Sequence, residues 1–81
     1  MLSELADGRK LVGIKQCTRA VKDGKAEKAF LAHGVAPDIS EPFVALCTKC
    51  EVPLVMVSTK KELGVHCGID VDASVAVILK G

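Results

Sequence analysis

Aromatic residues are nearly absent from this chain. Its 81 residues include no tryptophan and no tyrosine, and only two phenylalanines, Phe30 and Phe43. A protein that stacks single-stranded nucleic acid needs exposed rings, so this composition argues against a stacking platform. No apolar run approaches the roughly 20 residues that span a bilayer, and the first ten residues do not resemble a signal peptide. We therefore expect a cytoplasmic protein without a membrane partner, whose four cysteines are reduced thiols.

An excess of charge of one sign is also lacking, because basic and acidic residues nearly balance, but the two kinds are unevenly distributed along the chain. The net charge is +1, and a general polyanion binder would show a strong basic excess. The first 25 positions hold six basic and three acidic residues, whereas the remainder holds five basic and seven acidic ones. The positive charge is therefore gathered near the N-terminus.

Apolar residues recur with helical and strand periods in turn. The pattern predicts the order α-β-α-β-α-β-α-β, with a short helix at 3–8, a strand at 10–13, a helix at 14–24, a strand at 28–32, a helix at 40–50, a strand at 54–58, a helix at 59–68 and a strand at 73–79. Such alternation requires a central sheet with helices on both faces. Given 81 residues and short linkers, we expect one domain covering residues 1–81.

Local signals refine three of these elements. Ser40 is expected to cap the third helix, with Pro42 in its first turn. Thr59 and Glu62 form a T-x-x-E capping box at the start of the last helix. The strand "KAFLA" at 28–32 is almost entirely apolar, which is typical of a strand buried on both faces.

Sequence motifs of enzyme chemistry do not occur. There is no nucleophile elbow, phosphate-binding loop or dinucleotide fingerprint. His66 beside Cys67 suggests a base and a thiol nucleophile, but adjacent helical residues point about 100° apart and do not face each other. We therefore expect a protein that is not an enzyme.

Cys47 and Cys50 form a C-x-x-C motif, which occurs in zinc sites and in redox pairs. The other candidate ligands form no second close pair, and a redox pair lies at a helix N-terminus, whereas this motif ends its predicted helix. Both cysteines share an apolar stripe with Phe43 and Leu46. We expect two buried core thiols and no metal.

The stretch "VGIKQCTRAVKDG" joins a glycine turn to a helix rich in hydrogen-bond donors. A helix N-terminus presents free backbone N–H groups and a positive dipole end, and Gly13 leaves room for close approach. Lys15, Arg19 and Lys22 share one helical face, and Gln16 offers an amide suited to a base edge. This pattern favours an anion-and-base site, although a solvated charged face would give the same pattern.

The stretch "GIDVDAS" places Ile69 and Val71 in a predicted loop, on either side of Asp70. Exposed apolar residues on a loop indicate a contact surface. In an α/β/α unit this loop could lie beside the glycine turn at Gly13. Burial of both side chains in the core fits their i, i+2 spacing equally well.

These residues together resemble the kink-turn-binding family of ribosomal proteins, of the seven-Ae and thirty-e type, and the chain is most similar to its small bacterial members. The similarity covers nearly the whole chain, most specifically "GIKQCTRAVKDGK", "AHGVAP", "STKKELGVHCGIDVDAS" and the final apolar strand. Against the family motif G-x-N-E-x-x-K, Gly13 matches and Arg19 keeps the cation, whereas Lys15 and Gln16 replace Asn and Glu.

The family's specificity loop carries a Leu/Ile-Glu-Val-like tripeptide, and Ile69-Asp70-Val71 matches it with a shortened acid. The turn from Ala32 to Pro37 lacks the acid of the family's A-x-D-x-x-P pattern. The resemblance implies a three-layer α/β/α sandwich with a four-stranded mixed sheet. The RNA contacts that it implies are Gly13, Ile14, Lys15, Gln16, Arg19, Lys22, Ile69, Asp70 and Val71.

In this interpretation the protein recognises a kink-turn, a kink-loop or a related helix–bulge–helix RNA. Lys15 and Gln16 would meet base edges, Gly13 the phosphate backbone, and Ile69 and Val71 a base splayed from the bulge. The resemblance predicts a protein associated with the ribosome or another ribonucleoprotein, a monomer when free, with no cofactor. The alternatives are a protein–protein interaction module on the same scaffold and a cysteine-based redox or metal protein.

Overall fold

A computed structural model describes residues 9–69 and 71–80. Its elements are β1 (Lys10–Val12), α1 (Ile14–Lys22), β2 (Ala26–Ala32), α2 (Pro37–Lys49), β3 (Leu54–Val57), α3 (Lys60–His66) and β4 (Val75–Leu79). The predicted alternation of strands and helices is confirmed from residue 10 onward, and the predicted helix at 3–8 lies outside the described residues. In the described part of the chain, no helix has both the length and the apolar character needed to cross a membrane.

The four strands form one mixed sheet in the order β1-β4-β2-β3. Strand β4 is antiparallel to β1 and to β2, whereas β2 and β3 are parallel. The ends of β1, β2 and β3 therefore meet the start of β4 at one end of the sheet, which we call the near end. Three backbone hydrogen bonds join the chain segments there, from Gly13 N–H to the Val75 carbonyl (3.3 Å), from Ala32 N–H to the Ser74 carbonyl (3.0 Å) and from His33 N–H to the Val57 carbonyl (2.9 Å).

Two apolar clusters lie on opposite faces of the sheet and produce the predicted three layers. The first cluster holds Ala29 and Leu31 of β2 against buried side chains of α1 and α2. The second holds Phe30 and Ala32 of β2 against α3. Successive strand residues point to opposite faces, so β2 is buried on both sides, as its apolar run predicts.

Helix α2 begins three residues before the expected cap at Ser40. Ala36 is the N-cap, and its carbonyl accepts hydrogen bonds from the N–H groups of Ile39 and Ser40, each at 2.9 Å. Pro37 takes the first helical position, where its missing N–H and fixed φ are compatible with a helix. Pro42 therefore lies inside the helix instead of in its first turn, and it cannot donate to the Asp38 carbonyl one turn earlier.

The predicted burial of Cys50 is wrong, whereas that of Cys47 is confirmed. Cys47 is 1% exposed in the first cluster, but Cys50 is exposed. The reason is that α2 ends at Lys49 and Cys50 is its C-cap, so the apolar stripe extends one residue beyond the part of the helix that covers the sheet. Glu51 then turns the chain away with a left-handed φ of 57°.

The capping box of α3 is confirmed on its N-cap side, because Glu62 N–H donates to Thr59 Oγ1 at 3.0 Å.

The two prolines of α2 provide a matched pair for a stability test. We expect Pro42→Ala to raise the free energy of unfolding by about 1–2 kcal/mol, because the interior penalty of proline exceeds its benefit in the unfolded chain. Pro37→Ala should give no such gain, since proline is favoured at the first helical position. Urea unfolding of both variants measures this, and equal effects at the two positions would contradict the observed helix start.

Candidate functional site

The near end of the sheet brings the glycine turn and the 69–74 loop to the same place. Gly13 follows β1, and its N–H donates to the carbonyl of Val75, the first residue of β4. The 69–74 loop enters β4 directly before this contact, so the structure juxtaposes the two stretches that the sequence analysis singled out. Their juxtaposition follows from the antiparallel pairing of β1 with β4, in which Val12 lies opposite Ala76.

Gly13 forms an open corner at the start of α1. It is the N-cap, with φ 109° and ψ 142°, a conformation that side chains with a Cβ rarely adopt. A Cβ built there would meet no atom within 4 Å, so the space in front of the corner is open. Within the described residues no side chain caps this helix, and the first-turn N–H groups have no acceptor within the helix. The corner can therefore receive an anion at the positive end of α1.

The polar side chains of α1 divide between two grooves. Lys15 and Lys22 line one groove, Gln16 lines the other, and Arg19 borders both. All four side chains are exposed. Lys15 and Gln16 thus flank the ridge formed by Arg19, so a ligand that meets both must lie across the start of α1.

Arg19 and Lys22 also have a role in the helix itself. Both lie in the last turn of α1, where cations interact favourably with the helix dipole. Arg19 Nε lies 3.8 Å from Asp23 Oδ2, and the Arg19 side chain is 86% exposed. An exposed pair of this kind contributes about 0–1 kcal/mol, so a phosphate can displace Asp23 at small cost.

The two apolar residues of the 69–74 loop have different environments. Ile69 is half-buried against the second cluster, and its N–H donates to the Gly64 carbonyl at 3.1 Å. Val71 is 68% exposed. Ile69 is therefore less exposed than the loop prediction implied, because it packs on the core below the loop. Asp70 lies outside the described residues.

Gly64, which the sequence analysis did not select, determines how closely the loop approaches α3. A Cβ at Gly64 would overlap the backbone carbonyl oxygen of Val71 and lie in contact with Cα of Asp72. Glycine inside a short helix lowers the stability of that helix. Its presence within the predicted helix was therefore the available sequence signal for a close packing contact at this position. The missing side chain lets the backbone of the loop rest directly on the helix.

Val65 extends the apolar surface that Val71 begins. Val65 is 64% exposed on α3, and it lines a shallow groove with Ile69 and Val71, bordered by Lys61 and Asp72. Because neighbouring apolar side chains at a surface indicate a contact area, Val65 is a second residue that sequence reasoning missed. Its signal was weak, since a single exposed valine on a helix is common.

The cysteines provide no reactive thiolate in the core. Burial, followed by the nearby Cys67 and Cys47, raises the pKa of the Cys17 thiol to about 12, and burial also raises the pKa of Cys47 and of Cys67. The Cys17 thiol points at the Leu11 carbonyl, with Sγ 3.4 Å from the oxygen. Among residues 9–69 and 71–80, no three His, Cys, Asp or Glu side chains are grouped as metal ligands.

Replacement of Gly64 tests the packing of the loop on α3. We expect Gly64→Ala to lower the free energy of unfolding by about 1–3 kcal/mol, because the new methyl group overlaps backbone atoms of Val71. Helix propensity alone would give the opposite sign, a gain of about 1 kcal/mol. Val65→Ala, at the exposed neighbouring position, should change stability by no more than about 0.5 kcal/mol. Denaturant unfolding measures both, and a stabilised Gly64→Ala would contradict the close approach.

Comparison with known proteins identifies related chains. The sequence model of the "Ribosomal protein L7Ae/L30e/S12e/Gadd45 family" matches residues 2–81. An RNA-binding protein of Geobacillus thermodenitrificans is 36% identical over 76 residues, which cover 94% of this chain and 93% of that protein. RNA-binding protein YbxF of Geobacillus stearothermophilus is 34% identical with the same coverage.

Solved structures agree with this assignment. The 15.5kD RNA binding protein of Giardia lamblia superposes with a TM-score of 0.90 at 28% identity, covering 99% of this chain and 71% of that chain. A Bacillus halodurans protein of unknown function superposes with a TM-score of 0.88 at 20% identity, covering 99% and 84%, and shows the shared fold. Since the family model extends over nearly every residue and the relatives exceed 30% identity along most of the chain, this chain belongs to the Ribosomal protein L7Ae/L30e/S12e/Gadd45 family.

Proposed function

We propose that this protein binds RNA containing a kink-turn, a kink-loop or a related helix–bulge–helix, and that it does so at the near end of its sheet. The observation that carries this proposal is the convergence, at the near end, of an open helix N-terminus at Gly13 with the loop that carries the exposed Val71 and leads into Val75. The relatives described as RNA-binding proteins, and the Giardia structure of an RNA binding protein, support the same class of ligand.

The α1 corner serves the backbone and base edges of the RNA. A phosphate of the bent strand approaches Gly13 and the free N–H groups of the first turn, where Ile14 also lies. Lys15 and Gln16 reach base edges on either side of the Arg19 ridge. Arg19 leaves its weak contact with Asp23 to meet a phosphate, and Lys22 continues this contact along the helix.

The 69–74 loop serves an unstacked base. Regular A-form helices hide their base edges in a deep, narrow groove, whereas bulges expose bases that can pack on protein side chains. Val71 supplies the apolar contact, Ile69 supports it from below, and Asp70 completes the tripeptide that corresponds to the family's specificity loop. A few contacts of this kind also explain why a net charge of +1 is sufficient.

In this proposal the protein acts by binding alone, as a cytoplasmic monomer that joins a ribosome or another ribonucleoprotein.

A second candidate function is a protein–protein interaction module. It is favoured by the exposed Val55 and Met56, because β3 is an edge strand and offers backbone hydrogen-bonding groups on its outer side. Failure of the wild-type protein to bind either kinked or plain duplex RNA would favour this second candidate.

Because Ile69 and Val71 have different environments, we expect serine substitution to affect mainly stability at Ile69 and mainly RNA affinity at Val71. Val71→Ser should leave the free energy of unfolding within about 0.5 kcal/mol and weaken binding of kinked RNA about tenfold, since an apolar contact of roughly 1.5 kcal/mol is lost. Ile69→Ser should lower the free energy of unfolding by about 1–3 kcal/mol, because Ile69 packs on the core. Val55→Ser on the edge strand is the matched control and should bind RNA normally. Wild-type affinity in folded Val71→Ser would contradict this role.

Salt titrations distinguish phosphate contacts from base contacts on α1. Arg19→Ala should weaken binding and make the plot of log K against log salt shallower by about 0.7–0.9, the effect of one lost phosphate contact, whereas Arg19→Lys should keep most of the slope. Gln16→Ala should leave the slope unchanged and reduce the preference for kinked over plain RNA, because a neutral amide releases no counterion. Lys15→Ala should show both effects.

The control for this series is Lys49→Ala, which removes an exposed cation from the end of α2 without touching α1. Its slope and RNA preference should equal those of the wild type. Identical losses on kinked and plain RNA for all three α1 positions would mean that α1 offers a basic surface without a specific site.

A further inference from the structure

A second group of cations lies at the end of the sheet opposite the proposed site. Arg9 precedes β1, Lys25 precedes β2 and Lys80 follows β4, so these residues flank three neighbouring strands at the same end of the sheet. Backbone hydrogen bonds hold them together, from Lys80 N–H to the Lys25 carbonyl and from Leu79 N–H to the Arg9 carbonyl, each at 2.8 Å. All three cations are exposed, and we call Arg9, Lys25 and Lys80 the far-end cluster.

A groove joins the far-end cluster to the proposed site. It has a volume of about 300 Å³ and runs beside α1, with Gln16 and Arg19 along one part and Lys25 along another. Its floor is apolar and includes Leu11 and Leu79. Among the described residues, Asp23 is the one acid that lines this groove, so an RNA stem can follow the outer side of α1 from Gln16 to the far-end cluster.

The charge at the far end favours a polyanion. Like charges on neighbouring strands repel, so Arg9, Lys25 and Lys80 together are unfavourable in the free protein until an anion neutralises them. In the described part of the chain, the acids next to this cluster in sequence are Asp23, which already faces Arg19 at 3.8 Å, and the exposed Glu27. With Lys22 at the end of α1, four described cations outnumber these two carboxylates.

We propose that the far-end cluster binds phosphates of a stem flanking the bend, so that the RNA footprint extends along α1 over the full length of the sheet. This inference rests on the proposed function and adds a second contact region to it. The seven residues of β2 separate the two regions by roughly 20 Å. A stem of three base pairs is too short to cover that distance, whereas a full turn of A-form helix covers it.

The experiment compares kinked RNAs whose flanking stems have about three or about ten base pairs, with each stem shortened in turn and closed by the same hairpin loop. Binding of the wild type and of the triple variant Arg9→Ala, Lys25→Ala, Lys80→Ala is titrated at several salt concentrations. For one of the two stems, the triple variant should bind the long-stem RNA with a slope of log K against log salt that is shallower than the wild type's by about 2–3 units. On the RNA in which that stem is short, the slopes of the variant and the wild type should be equal. Lys49→Ala is the charge control and should behave as wild type.

Thermal unfolding at low salt provides the independent measurement, because relief of repulsion should leave the melting temperature of the free triple variant unchanged or higher. The inference is overturned if the variant loses affinity equally on short-stem and long-stem RNA, or on neither. Failure of the proposed function has a different signature: the wild type would then bind kinked RNA and a plain duplex equally, whatever the length of the stems.

Discussion

The direction of β4 is the constraint on which the rest of the molecule depends. This strand runs antiparallel between β1 and β2, while the other three strands share one direction. Every chain segment that leaves β1, β2 or β3 therefore meets the segment that enters β4. The glycine corner, the turn after β2, the cap of α3 and the 69–74 loop converge for this reason, although they are far apart in sequence.

Small side chains allow the three layers to approach this sheet closely. Alanines at 29, 32 and 76 are buried in the central strands, and among the described residues no polar side chain is buried. The core therefore gains its stability from tight packing of many small groups, with Phe30 and Phe43 as its only aromatic members. Three cysteines act in this core as small apolar side chains, and their raised pKa values follow from the same burial.

The sequence predicts the elements better than it predicts the loops. The apolar periodicity and the turn and capping residues identify the strands and helices from residue 10 onward, because amphipathic spacing and the Thr59 cap act locally. The start of α2 and the exposure of Cys50 are missed, since a helix boundary depends on where the neighbouring sheet ends. The roles of Ile69 and Val71 cannot be separated by spacing alone, as a loop has no fixed period. The role of Gly64 is not predicted, because it contacts the Val71 carbonyl, and a backbone contact leaves no pattern of side chains in the sequence.

That backbone contact has a consequence for how specificity can change. The position of the loop is set by main-chain atoms of Val71 and Asp72 resting on a helix without a side chain at Gly64. The placement of the loop is therefore largely independent of which side chain residue 71 carries. The side chain at position 71 can therefore be exchanged for a larger, smaller or charged one while the loop keeps its position relative to the α1 corner. If the proposed RNA site is correct, the scaffold separates the geometry of recognition from its chemistry, and residue 71 becomes a position at which the protein could be retargeted to other RNAs.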